Sequence, residues 1–331
     1  MAVTSEVAEL TYAEAICQAQ EDAMAEDETI ILLGQDIVAG FPFGATRGLA
    51  ELYGTERVRN TPLSEAATMG CGVGAAMMGR RTVVEVDFAG FLFLGLDQLI
   101  NNAAKLRYMS GGQIRVPLVV RVGHGPLGSF AAQHSQSPQG WLANTPGLAL
   151  SAPSNPQDAY DLLRWALRQD DPVVFAEDMR LYRTKGSFRP GDGPSQPRAA
   201  VARSGADVTA ICFGYDTRIA LEAADALAGE GIELEVLDLR QLSPLDEAAI
   251  AESVRRTGRA LCIADDPLLG GICGSLAATA TELAYNELRA PVLRLGARHV
   301  PVPYAAELER RIYPSAGSIT ESVRKLVGWE G

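Results

Sequence analysis

The chain has 331 residues, enough for about two domains at roughly 100–200 residues each. Hydrophobic residues make up 47% and charged residues 21%, with 33 Gly and 18 Pro, a profile that excludes collagen-like, disordered and disulfide-scaffold chains. The 29 Lys+Arg stand against 41 Asp+Glu, and the resulting −12 repels nucleic acid and anionic lipid in the absence of a dense basic cluster.

Strand-length apolar runs alternate with helical patterns almost to the C-terminus. In the first half a helix is predicted over 12–25 and a short strand over 30–33. A strand over 82–88, an apolar helix over 92–108 and a strand over 117–122 follow. After a polar stretch come a strand over 148–152, a helix started by Ser154-Asn155-Pro156, and a strand over 173–176. Pro156 suits a first helical turn, where its missing N–H would be unpaired anyway. Strands separated by helices imply a mainly parallel sheet covered on both faces.

Residues 186–206, rich in Gly, Pro, Ser and Arg, read as an interdomain linker between a domain over 1–185 and a second over 207–331. The second alternation predicts strands over 208–213, 233–239, 260–264 and 292–295. Its helices fall over 217–228, 245–256, 275–287 and 318–327. The fold class is therefore α/β, in two halves without tandem repeats.

Five scattered cysteines, Cys17, Cys71, Cys212, Cys262 and Cys273, form no C-x-x-C and read as buried free thiols of a reducing compartment. The N-terminal MAVTSEVAEL lacks a basic region before an apolar core and does not read as a secretory signal. The longest stretch free of Asp, Glu, Lys and Arg is 122–157. Its His, Gln, Ser, Asn, Gly and Pro content suits a site lining better than a membrane span. A cytoplasmic protein is expected.

Three stretches bear chemistry. In NTPLSEAATMGCGVGAA, Pro62 pushes Thr61 to an extended conformation. Glu65 then opens a helix of small residues that reads as deeply buried, and its carboxylate is either a helix cap or a functional acid. In VEVDFAGFLF a strand ends at a turn crowded with aromatics, either core packing or the wall of a crevice at the carboxyl ends of the strands. In AAQHSQS, His134 lies inside the uncharged polar stretch, as a structural residue or a catalyst. Gly70-Cys71-Gly72-Val73-Gly74 lacks the G-x-G-x-x-G spacing of a dinucleotide loop.

Five ordered stretches carry a family resemblance: NTPLSEAATMG, LDQLINNAAKLRYMSGGQIRVPLVVR, AAQHSQS, APSNPQDAYDLLRWALRQDDPVVFAE and VPVPYAAELERRIYP. Along nearly its whole length the chain resembles β subunits of the thiamine-diphosphate-dependent decarboxylating component of 2-oxo acid dehydrogenase complexes, of pyruvate, branched-chain and acetoin type. The resemblance implies two three-layer α/β/α domains, a pyrimidine-binding fold and a transketolase C-terminal-like fold. It implies that Glu65 hydrogen-bonds the cofactor's pyrimidine nitrogen and that Phe91 packs on the pyrimidine ring. Leu63 would contact that ring through its backbone, and His134 would face the reacting carbon. Asp87 would lie near the cofactor, where many relatives carry an apolar residue.

Leu118, Ala166, Leu167, Gln169 and Asp171 match a loop that holds a structural K⁺ in several relatives, mainly through carbonyls, although Gln169 replaces a frequent Asp. Relatives hold the cofactor diphosphate through Mg²⁺ on a G-D-G with an Asn motif about thirty residues on. Here Gly191-Asp192-Gly193 is followed at once by Pro194 and by no Asn partner, so Asp192 reads as a solvated turn residue. The Mg²⁺ half is then expected on an α subunit, in an α₂β₂ assembly that passes an acyl group from a 2-oxo acid to a lipoyl acyltransferase core. His124 and Phe130 in the 123–130 loop, and His299, also depart from the pattern. The departures at Asp87 and in the 123–130 loop keep open a split transketolase-like or acyloin-forming enzyme. A non-catalytic scaffolding subunit is the third reading, opposed by Glu65, Phe91 and His134 occurring together.

Overall fold

The structure, a computed structural model, describes residues 8–191 and 193–329. Asp192 and the first seven residues, on which the turn reading and part of the signal reading fall, lie outside the described residues. Two compact units emerge. One runs to His124 and resumes over Leu142–Pro197; the other takes Gly125–Trp141 and the chain from Arg198 on. No helix among the described residues is long and apolar enough to cross a membrane.

The first unit is built on parallel strands in the spatial order Ala149–Ser151, Val173–Asp178, Leu118–His124, Thr82–Val86, Ile31–Gly34, Val58–Asn60. Val84 faces Val120, and Val120 faces Val174, across the centre. Every residue of Leu118–His124 and of Val173–Asp178 is buried, as expected where helices cover both faces. Helix Tyr12–Glu26 begins in a capping box: Thr11 Oγ1 accepts from the Glu14 N–H, and Glu14 Oε2 accepts from the Thr11 N–H at 2.8 Å. Helix Pro156–Ala166 starts as expected, with Pro156 in the first turn and the Asn155 side chain accepting from the Asp158 N–H at 2.9 Å.

Charge is buried in this sheet as well. Arg121 points from the central strand and donates to Glu177 through Nε at 2.7 Å and Nη2 at 2.9 Å, and to Glu85 through Nη1. The Tyr182 hydroxyl donates to Glu177 at 2.7 Å. Burial pushes the Glu85 carboxyl up, against the pull of Arg121.

Several elements differ from expectation. The strand expected over 82–88 leaves the ladder after Val86, and a helix starts at Ala89, so Asp87 and Phe88 form the connecting turn. The helix expected over 92–108 is α over Ala89–Leu96, π over Asp97–Ala103 and α again over Ala104–Met109. Within the wide turn Asn101 donates to Asp97 at 2.7 Å and Asn102 to Gln98 at 3.1 Å. The small-residue helix Glu65–Met77 is buried on one face only. Thr68, Met69, Gly72, Val73 and Ala76 pack inward, while Ala66, Ala67, Cys71, Gly74 and Met77 are exposed. Its close approach to the sheet is real at Gly72, where a Cβ would lie 2.4 Å from Val84 Cγ2. Cys71 is exposed and Cys17 partly so, whereas Cys212, Cys262 and Cys273 are buried; all five are free.

The second unit carries parallel strands in the order Leu293–Ala297, Ala260–Pro267, Val208–Cys212, Leu234–Asp238, with Ala200–Arg203 antiparallel at the edge. Helices Tyr215–Ala228 and Ala316–Val327 close one face around Val208, Ala210, Val236, Leu261 and Ile263. On the other face Glu247–Thr257 packs with Ile272–Ala284, and Thr257 shares a 2.8 Å hydroxyl contact with Thr209. The 186–206 segment is strand at both ends. Lys185–Phe188 pairs antiparallel with Ala8–Thr11, and Ala200–Arg203 joins the second sheet.

Candidate active site

Three neighbouring parallel strands of the first unit end at the same edge, and the residue after each faces a common cleft: Gln35 after Ile31–Gly34, Thr61 after Val58–Asn60, Asp87 after Thr82–Val86. Leu63, Glu65, Thr68, Glu85, Val86, Phe88 and Phe91 complete the lining of a space of about 190 Å³. This is the crevice that the carboxyl ends of parallel strands create.

Glu65 is the first residue of its helix, and the Ser64 side chain makes no cap hydrogen bond. Its Oε1 lies 3.5 Å from the Gln35 amide, a long contact that leaves the carboxyl open to the cleft. Leu63 is 82% exposed beside it. Phe91 meets Phe88 edge-to-face with centroids 6.1 Å apart, and Phe88 meets Phe43 at 5.9 Å. Phe43 stacks on Tyr182 at 4.4 Å, so the aromatic wall continues back into the core.

Asp87 is an acid of the cleft whose carboxyl its surroundings perturb strongly. Its Oδ1 is buried with no hydrogen-bond partner among the described residues. Burial, reinforced by Glu85, Asp36 and Glu65 and opposed by Arg121, pushes its carboxyl up to about 7. Gly123 keeps this turn close to the next strand, since a Cβ there would lie 2.5 Å from the Asp87 carbonyl.

Leu63, Glu65, Asp87 and Phe91 are thus brought into one cleft. His134 is not among its lining residues; it ends the short helix Ala131–His134 in the second unit, with its ring edge-to-face to Phe130 at 6.4 Å. His124, expected in the loop, is the last residue of strand Leu118–His124, and burial drives its imidazole down to about 4. In the loop expected to hold potassium, two carbonyls accept from an arginine. Arg81 Nη1 donates to the carbonyls of Gln169 at 2.7 Å and Leu167 at 3.3 Å, and its Nη2 to Asp170 at 3.0 Å. The Ala166 carbonyl accepts from the Gln169 N–H, Asp171 pairs with Arg107 at 2.6 Å, and Leu118 is buried in its strand. Gln35, Thr61, Thr68, Glu85, Val86 and Phe88 are the lining residues that sequence reasoning missed; a place just after a predicted strand is the signal that points to Gln35.

The donor set suits one half of a thiamine-type cofactor. An aromatic face, two carboxyls open to or buried in the cleft, and an orphan acid oxygen fit an aminopyrimidine ring bearing N–H groups. The same lining holds Glu65, Glu85 and Asp87 and no Lys or Arg, which suits neither a diphosphate nor its approach.

Comparison with known proteins agrees. Residues 8–185 match the family described as transketolase, pyrimidine binding domain, and residues 198–319 match the transketolase C-terminal domain. The β subunit of 2-oxoisovalerate dehydrogenase from Bacillus subtilis (strain 168) is 39% identical over 321 residues, covering 96% of this chain and 98% of that one. The β subunit of acetoin:2,6-dichlorophenolindophenol oxidoreductase from the same strain is 39% identical, with 96% and 97% covered. Mitochondrial pyruvate dehydrogenase E1 component subunit beta-1 of Arabidopsis thaliana is 39% identical, with 96% and 89% covered. Among solved structures, a split gene transketolase described as an inactive beta4 tetramer shares the fold, with TM-score 0.75 at 22% identity over 96% of this chain and 98% of that one.

Proposed function

The chain belongs to the family of β subunits of thiamine-diphosphate-dependent 2-oxo acid dehydrogenases, and from that membership we propose that it holds the pyrimidine half of the cofactor and acts only with an α subunit. The observation that carries the reading is the cleft itself: Glu65 and Phe91 face one small space whose lining has no cation for a diphosphate. When bound, thiamine diphosphate supplies a thiazolium carbon acid that serves as the nucleophile toward a 2-oxo acid. Glu65 holds a proton at the pyrimidine ring nitrogen and so favours the tautomer that acts as base. Phe91 fixes the ring plane by stacking, worth on the order of 1 kcal/mol beyond burial. Leu63 offers backbone groups to the ring. The uncompensated oxygen of Asp87 gives the ring's amino side a further polar partner.

His134 steadies the substrate carboxylate or passes a proton. Mg²⁺ and the diphosphate belong to the α subunit, in an α₂β₂ assembly whose acyl product goes to a lipoyl carrier. The open small-residue face of helix Glu65–Met77 supports a partner chain next to the cleft. The loop of Leu118, Ala166, Leu167, Gln169 and Asp171 is the candidate seat of a structural K⁺, held mainly through carbonyls, of which those of Leu167 and Gln169 also accept from the Arg81 guanidinium. Five free thiols support a reducing compartment such as the cytoplasm. A second reading, acetoin cleavage with the same cleft, is favoured by the equal 39% identity to the acetoin-type β subunit.

Glu65→Gln tests the reading. It keeps shape and one acceptor oxygen but cannot supply the carboxyl proton. In the complex with the α subunit, exchange of the thiazolium C–H for deuterium should slow by about 10²–10⁴-fold. Wild-type exchange would reduce Glu65 to a helix terminus. Turnover of pyruvate, branched 2-oxo acids and acetoin by the same complex separates the two substrate readings.

A further inference from the structure

Two side chains of the VPVPYAAELERRIYP stretch near the C-terminus reach the segment that carries His134. That segment, Gly125–Trp141, belongs to the same compact unit as the C-terminal stretch. Its base is closed by the Gly125 N–H donating to the Gln136 carbonyl at 3.1 Å. Within the loop Ser129 (φ +62°) and Ala131 (φ +59°) sit in the left-handed region. Such backbone persists where the surroundings over-determine it.

Two side chains supply that constraint. Glu309, 3% exposed, accepts the Ser129 N–H on Oε2 at 2.8 Å. Its Oε1 is buried with no hydrogen-bond partner among the described residues, so the loop amide is what holds this carboxyl. A buried carboxyl is costly unless it is hydrogen-bonded, and here the bond comes from a residue in the left-handed region. Four residues on, the Tyr313 hydroxyl donates to the Ser135 carbonyl at 2.9 Å. His134 lies between the two anchor points, one residue before Ser135 and next to the Phe130 ring.

We propose that Glu309 and Tyr313 are positioning residues that hold the His134 loop in its working conformation. They act through the loop backbone, Glu309 at its strained entry and Tyr313 at its exit. The functional consequence rests on the role of His134 given above; the anchoring itself does not.

The test has two arms. Hydrogen exchange on the full-length chain reads the anchors directly. Glu309→Ala should speed exchange over residues 125–136 by at least about tenfold, and Tyr313→Phe several-fold, with strand Ala260–Pro267 unchanged as a check on the fold. Glu309→Gln keeps an acceptor oxygen and should restore most of the protection. In the complex with the α subunit, Glu309→Ala should lower kcat about tenfold while cofactor affinity, set by the Glu65–Phe91 cleft, stays at the wild-type value. On a His134→Ala background the same change should cost less than about twofold, because the two residues act as one unit. Unchanged loop exchange in Glu309→Ala overturns the anchoring even if His134→Ala is inactive. Full additivity with His134→Ala overturns the positioning role. Wild-type turnover by His134→Ala removes the role proposed for His134, and the positioning role falls with it.

Discussion

Asp87 shows how a single side chain is set by its surroundings. Its ordinary value is 3.8 and the folded protein raises it to about 7, first through burial and then through Glu85, Asp36 and Glu65. A carboxyl raised on folding contributes stability that is complete below about pH 4 and is lost as pH rises through about 7. Asp87→Asn cannot ionise and is free of that loss. The melting temperatures of variant and wild type should therefore agree near pH 4 and separate above pH 7, with the variant higher by at least about 2 °C at pH 8. An equal difference at both pH values would mean that Asp87 is ionised throughout.

At the scale of elements, the cleft exists because three strands stop together and because strand Thr82–Val86 stops early. Beneath it, Arg121 on the central strand ties Glu85 on one neighbour to Glu177 on the other, across the register Glu85–Arg121–Phe175. Arg121→Ala would leave two carboxylates in the sheet without their cation. The expected loss is about 3–5 kcal/mol in urea unfolding. A loss below about 1 kcal/mol would show that the carboxyls take up protons or new donors instead. Helix Glu65–Met77 belongs to the same construction, since Gly72 lets it lie directly on Val84 and so carries Glu65 to the cleft.

For the whole molecule, the cleft's three acids and the chain's −12 charge oppose a diphosphate. The purified chain alone should therefore bind thiamine diphosphate weakly and show no decarboxylation, and Mg²⁺ should not rescue binding. Titration calorimetry checks this: tight, Mg²⁺-dependent binding without an α subunit would place the diphosphate site in this chain. The −12 balance also makes any such weak binding improve with salt, because screening relieves the repulsion.

The alternation of apolar runs and helical patterns was enough to determine an α/β chain, because buried parallel strands must be apolar on both faces and their crossovers amphipathic. It also determined the start of helix Pro156–Ala166, since Asn155 and Pro156 act within one turn. Position alone left Glu65 open between helix cap and functional acid and Phe91 between core packing and crevice wall; the family resemblance singled out both, and Asp87 with them, and the cleft holds all three while His134 is not among its lining residues. Only the tertiary structure decided the rest. The π turn at Asp97–Ala103 and the pairing of Ala8–Thr11 with Lys185–Phe188 depend on partners far away or on side-chain bonds without a periodic signature. The open face of helix Glu65–Met77 could not be read, because small residues on both sides look alike until one side meets Val84. The seat of the His134 loop on Glu309 and Tyr313 joins residues 178 to 180 positions apart, a separation that local spacing does not encode.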